Sequence, residues 1–102
     1  MTAIAIADCT VKRGSPQLDV TDFYVETPAT TVSADTIAIT LGDYGIAAAG
    51  FLYIGGVIHT TANSIVAAEA PTTSVTSGVL TVTVGGSAAT DTRVYHIVGR
   101  SV

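Results

Sequence analysis

Thr, Val and Ile supply 39 of the 102 residues of this chain. These β-branched side chains lose rotamer freedom in a helix and pack well on a pleated surface. Turn-forming groups recur at short intervals: Gly14-Ser15-Pro16, Thr27-Pro28, Gly42-Asp43, Gly55-Gly56, Ala62-Asn63-Ser64, Ala70-Pro71, Ser77-Gly78 and Gly85-Gly86-Ser87. Short strands punctuated in this way predict an all-β fold: an antiparallel β-sandwich, jelly-roll- or immunoglobulin-like, of about seven to eight strands. A chain of this length builds one core and one domain.

The clearest strand is Thr36–Leu41. Ile37, Ile39 and Leu41 share one face, and Thr36, Ala38 and Thr40 the other. Val79–Val84 repeats the pattern, with Leu80, Val82 and Val84 inward and Val79, Thr81 and Thr83 outward. Thr73–Thr76 precedes it across Ser77-Gly78, so residues 72–84 read as a hairpin whose glycine permits the positive φ of a tight turn. Phe23–Thr27 predicts a strand with Phe23 and Val25 inward. In Arg93–Val98 large apolar groups lie on both faces, which means either a central strand or one covered by a neighbouring subunit. Leu52–Ile54 and Val57–Thr60 flank Gly55-Gly56 as a hairpin or as one bulged strand. Ser64–Ala68 is a further strand candidate. Asp43–Ala49 is the one place where alanine favours a helical turn, and at most one short turn is expected.

Residues 1–32 carry six of the twelve charges: Asp8, Lys12, Arg13, Asp19, Asp22 and Glu26. The first strand-like run, Ala3–Ala7, is separated from Phe23 by a polar stretch. Residues 1–32 are read as an N-terminal strand with a charged loop, or as an arm reaching a neighbour; residues 33–102 are read as the sandwich core.

The charged fraction, 12%, is about half that of an ordinary soluble domain. Free soluble domains carry mixed charge over their surface, whereas interface cores are depleted in it. Much of this exterior is therefore expected to face other protein subunits. The basic residues are Lys12, Arg13, Arg93 and Arg100. They are too few to neutralise several phosphates, so nucleic acid is not an expected partner. The most apolar run, residues 46–58, is too short and too glycine-rich to span a bilayer as a helix, and the N-terminus lacks the basic region of a signal peptide. No membrane partner is expected, and synthesis in a cytoplasm is the expectation.

Cys9 is the single cysteine, so no intrachain disulfide forms, and a small buried hydrophobe is its expected role. His59 and His96 are the only histidines. They lack HxH or HExxH spacing, and a metal site would need them to meet beside Asp91 or Glu69. There is no GxSxG elbow, no phosphate loop and no specific carboxylate pair. No catalytic residue, cofactor or metal is assigned, and the chain is not expected to be an enzyme. Sugar-binding sandwiches present Trp or Tyr platforms. There is no Trp here, and Tyr44 and Tyr53 are the candidate glycan contacts.

Val75–Val84, Ala89-Thr90-Asp91 and Val94–Arg100 form a Thr/Val hairpin, a Gly/Ala-rich loop with an "ATD" sequence, and a closing strand that ends in an apolar residue, Gly and Arg. In this, residues 36–100 resemble small structural proteins of tailed-bacteriophage virions. The resemblance implies a noncatalytic capsid decoration (cement) protein on the virion surface, binding the major capsid protein and stabilising the shell by buried area at capsomer junctions. A homo-oligomer is expected, with a trimer first, and Lys12, Arg13 and Arg100 are the candidate partner contacts. Two alternatives stand beside it: a host-facing glycan- or receptor-binding module of a head fibre or tail, and a tail-tube or baseplate subunit.

Overall fold

A computed structural model describes residues 3–13, 20–59, 67–85 and 90–102, with the side chain of Arg13 outside that set. Among them are nine strands: β1 (Ala3–Ile4), β2 (Thr10–Arg13), β3 (Val20–Glu26), β4 (Thr36–Thr40), β5 (Ile46–His59), β6 (Ala67–Ala68), β7 (Thr72–Thr76), β8 (Val79–Thr83) and β9 (Thr92–Ser101). They form a four-stranded sheet, β1-β4-β8-β7, and a five-stranded sheet, β2-β3-β9-β5-β6. Every pairing is antiparallel except β1 with β4. The chain is an all-β sandwich. β1 and β6 are two residues each; six of the seven longer strands fall where the sequence places them, and β2 lies in the polar stretch where no strand was expected. The pairs β3 with β9, β4 with β8 and β5 with β6 are nested, while β5 also pairs with β9 beside β3.

One core joins the two sheets. Ile37, Ile39, Leu80 and Val82 from the four-stranded sheet meet Phe23, Val25, Ile46, Tyr95 and Ile97 from the other, with Leu41 and Val84 alongside. Each such side chain contributes about 1.5–3 kcal/mol when fully buried. The inward sets expected on β3, β4 and β8 are the ones observed. The hairpin turns at Ser77 (φ 51°) and Gly78 (φ 78°), the backbone of a type I′ turn, which suits the twist of paired strands.

Several expectations are corrected. The described parts of residues 1–32 are no arm. β3 lies between β2 and β9, and it buries Phe23 and Val25 completely. The Ala3–Ala7 run is a strand only over Ala3–Ile4, then a 3-10 turn over Ile6–Asp8. The helical turn expected near Asp43 is a 3-10 turn over Leu41–Tyr44, ended by Gly45 in the left-handed conformation. Ala47, Ala48 and Ala49 belong to β5, in the irregular stretch between the pairs Ile46–Ser101 and Phe51–Gly99. Gly55-Gly56 interrupts nothing: β5 is one strand, and its irregular pairing with β9 lies between Ile46 and Tyr53. Of the Ser64–Ala68 candidate, Ala67–Ala68 is strand and the rest lies outside the described residues. Arg93–Val98 belongs to β9, the central strand of its sheet, the first of the two readings open for it.

Candidate interaction surfaces

The outer face of the four-stranded sheet follows from strand alternation. β4 contributes Thr36, Ala38 and Thr40, β8 contributes Val79, Thr81 and Thr83, and β7 contributes Thr72, Ser74 and Thr76. Cross-strand register sets them in three rows: Thr36–Thr83–Thr72, Ala38–Thr81–Ser74 and Thr40–Val79–Thr76. Ala38, Thr40, Thr72, Ser74 and Thr76 are exposed, and the other four are half-buried. Seven of the nine carry a hydroxyl, and none carries a charge. A hydroxyl both donates and accepts, and burying it against a hydrogen-bonding partner costs far less than burying a charge.

The outer face of the five-stranded sheet differs. Lys12 on β2, Asp22, Tyr24 and Glu26 on β3, His96 and Arg100 on β9, and Tyr53 on β5 all point outward. The His96 ring stacks on Tyr24, with ring centroids 4.4 Å apart and planes 13° apart. Its Nε2 lies 2.8 Å from Asp22 Oδ2. Tyr53 is 57% exposed. A Cβ on Gly55 would lie 2.5 Å from the Tyr53 hydroxyl, so the phenol lies down over that glycine. Between Tyr53 and the Tyr24–His96 stack runs a shallow groove of about 390 Å³, floored by Gly55, Gly56 and Val57 and closed by Val94.

The sequence-based site residues are distributed accordingly. Lys12 and Arg100 are exposed on this charged face; the Arg13 side chain lies outside the described residues. Tyr53 lines the groove. Tyr44 does not: it stacks on Phe23 at 4.6 Å and 17° and packs on the core. His59 pairs with Thr92 and His96 with Gly55, four residues apart along the ladder, or about 14 Å at the rise of a strand. The two histidines therefore do not converge. Among the described residues no group of three His, Cys, Asp or Glu is placed to hold a metal ion. Cys9 is half-buried, less covered than expected; burial, with Asp8 adding, pushes its thiol pKa up.

Sequence reading passed over a buried polar clamp at one end of the sandwich. Arg93 is fully buried. Its guanidinium donates to the carbonyl oxygens of Thr31 (2.5 Å), Asp91 (3.0 Å) and Gly85 (3.3 Å), and its backbone N–H donates to Thr27 Oγ1 (2.8 Å). From the other side Gly85 N–H donates to Oε1 of buried Glu69 at 2.5 Å. Gly85 is thus gripped at both its peptide groups. A Cβ there would stand 2.5 Å from Ala70 O, so only glycine fits. Burial pushes the Tyr95 phenol pKa well up, and the adjacent Glu69 carboxylate raises it further. Tyr95 Oη and Glu69 Oε2 are both buried, yet among the described residues no hydrogen bond of normal geometry reaches either. One signal for Arg93 was present: it shares strand parity with Tyr95 and Ile97.

No family model, no curated protein and no solved structure matches this chain.

Proposed function

We propose that the protein is a noncatalytic structural subunit of a bacteriophage virion, a capsid decoration protein that binds the major capsid protein and stabilises the shell. One observation carries this reading: the outer face of the four-stranded sheet is a nine-residue array without a single charge, while the opposite face of the sandwich holds Lys12, Asp22, Glu26, His96 and Arg100. The asymmetry gives the subunit an orientation. The uncharged face packs on the shell by shape and hydrogen bonding, and the charged face looks to solvent. Many copies on a symmetric lattice convert a modest contact into strong net reinforcement. The candidate contacts Lys12 and Arg100 then lie on the far side from the shell, and the contact passes to Ala38, Thr40, Thr81 and Ser74.

The test is binding of the purified protein to shells that lack it, with Ala38→Glu as the variant. Ala38 is exposed, so the fold tolerates the change. Shell binding by the wild type, abolished in Ala38→Glu with an unchanged circular dichroism spectrum, supports the reading. A wild type with no affinity for the shell, or a variant that binds equally well, refutes it.

The groove beside Tyr53 supports a second reading, a host-facing glycan-binding module. An exposed phenol face next to the Asp22–His96 pair offers both stacking and hydrogen bonding to a pyranose ring. Hits on a glycan array that vanish in Tyr53→Ala would favour it, and an array without hits would remove it.

A further inference from the structure

We infer that two copies of this chain pair antiparallel along β7, joining their four-stranded sheets into one continuous sheet across a two-fold axis. The two sheets have four edges, and three of them are blunted. Among the described residues β1 and β6 are two residues each, and β2 carries exposed Lys12, the kind of charge that keeps an edge from pairing. β7 has no such guard. Its sequence, Thr-Thr-Ser-Val-Thr, is free of charge and proline, and all five residues are exposed. Among the described residues its only strand partner is β8.

The backbone shows what β7 still offers. A two-residue turn closes on a hydrogen-bonded pair, here Thr76 with Val79, and such pairs then alternate along the ladder. Ser74–Thr81 and Thr72–Thr83 are therefore bonded pairs. The N–H and C=O groups of Thr73 and Val75 point away from β8, toward the open side. Their side chains face the interior side of the sheet, across from buried Val82 and Leu80. Yet Val75 is 39% exposed, because the sheet overhangs its partner here. Beneath the overhang lies an apolar groove lined by Ala48, Ala49, Phe51 and Val75. The sandwich is open where one more strand would continue it.

The occupant follows from the edges. A ring of identical subunits built through β7 needs a different edge to receive it, and β1, β6 and β2 are too short or too charged. The one long, unguarded edge finds its match only in another β7, an isologous contact. The segment is self-complementary about Ser74. In that register Thr73 faces Val75 of the partner subunit on both sides of the axis, each pair exchanging two backbone hydrogen bonds, and Ser74 faces its own copy. No like charges meet. Pairs are the unit this geometry builds, in place of the trimer that the sequence suggested.

The experiment is sedimentation and light scattering of the purified protein over a wide concentration range, for the wild type, Thr73→Pro and Thr73→Lys. The Thr73 N–H lies on the open side, so proline spares the β8 ladder. Each copy loses one intersubunit hydrogen bond, and the dissociation constant of the pair rises about 30-fold. Thr73→Lys places on β7 the charge that it lacks, and it stands in if the proline variant fails to fold. In a Cys9→Ser background, Ser74→Cys should oxidise to a covalent pair. Residues facing each other at a non-hydrogen-bonded position have Cα atoms about 4.5 Å apart, within disulfide range. A wild type that stays monomeric at every concentration overturns the inference. So does association that neither Thr73 variant weakens, or association without the Ser74→Cys cross-link. The shell reading fails separately: monomers that bind the shell sink the pairing alone, and pairs that do not bind it sink the shell reading alone.

Discussion

Replacing Arg93 with Met should loosen one whole end of the sandwich. The guanidinium donates to three carbonyls from two separate loops and the start of β9: Thr31, Gly85 and Asp91. Thr31 O keeps a second donor, the backbone N–H of Asp91 at 3.0 Å. The Asp91 and Gly85 carbonyls have no other donor among the described residues. Each buried acceptor left bare costs about 1–3 kcal/mol. Part of this is offset, because methionine fills much of the same volume and carries no charge to desolvate. A net loss of about 3 kcal/mol is expected, roughly a fifth to three fifths of the stability of an ordinary domain. For a domain of this size that lowers Tm by about 12–24 °C. Arg93→Lys should fare nearly as badly, since an ammonium point charge cannot replace a fork that serves three carbonyls. Thermal unfolding followed by circular dichroism measures the loss, and urea unfolding checks that the m-value is unchanged. Hydrogen exchange should quicken at residues 31–35 and 85 while the β4–β8 ladder stays protected. A Tm drop below about 5 °C for Arg93→Met would refute the clamp, because the carbonyls would then have found other donors at little cost.

Gly85→Ala should cost about 1–3 kcal/mol, since its Cβ would meet the backbone oxygen of Ala70 and the Glu69 carboxylate; urea unfolding reads the loss, and a variant as stable as the wild type would contradict the close approach. Tyr95→Phe should change stability at neutral pH by no more than about 1 kcal/mol, because among the described residues no bond of normal geometry reaches the buried hydroxyl, which has Glu69 beside it. The folded-state pKa of Tyr95 is raised. Its contribution is therefore complete below the ordinary tyrosine pKa of about 10 and is lost as pH climbs above it toward the folded value, where ionisation favours the unfolded chain. Tyr95→Phe should accordingly shift alkaline unfolding to higher pH, and an identical alkaline midpoint in the two proteins would show that another group sets it. Ala38→Glu and Thr73→Pro separate the shell face from the pairing edge, the first abolishing shell binding and the second self-association.

The two cleanest strands were legible because their signal is local. Ile37, Ile39 and Leu41, and Leu80, Val82 and Val84, alternate with small polar residues, so one face alone suits a core. In β9 that signal was blurred: Val94 and Val98 on the outer face are nearly as apolar as Tyr95 and Ile97 on the inner one, and only the packing of the four-stranded sheet against one face settled which set is buried. Arg93 was passed over because a charged group signals burial only once its partners are known, and those partners, Thr31 and Gly85, lie on other loops. Ala47–Ala49 misled through propensity, a term of tenths of a kcal/mol per residue that the extended course of β5 overrides. Of the two tyrosines singled out, Tyr53 reached the surface and Tyr44 went to Phe23; nothing within a few residues of either distinguishes them.

The residue pattern on its own determined the fold class, the hairpin at Ser77-Gly78 and the inward sets of β3, β4 and β8, because each depends on neighbours two residues away or on one turn. Tertiary structure alone decided the order of strands in each sheet, and with it which face is free of charge and which edge is open. Those properties come from pairings such as Thr21 with Gly99 and Ile37 with Val82. Such partners lie far apart in the chain, and no local preference of backbone or side chain encodes which two will meet.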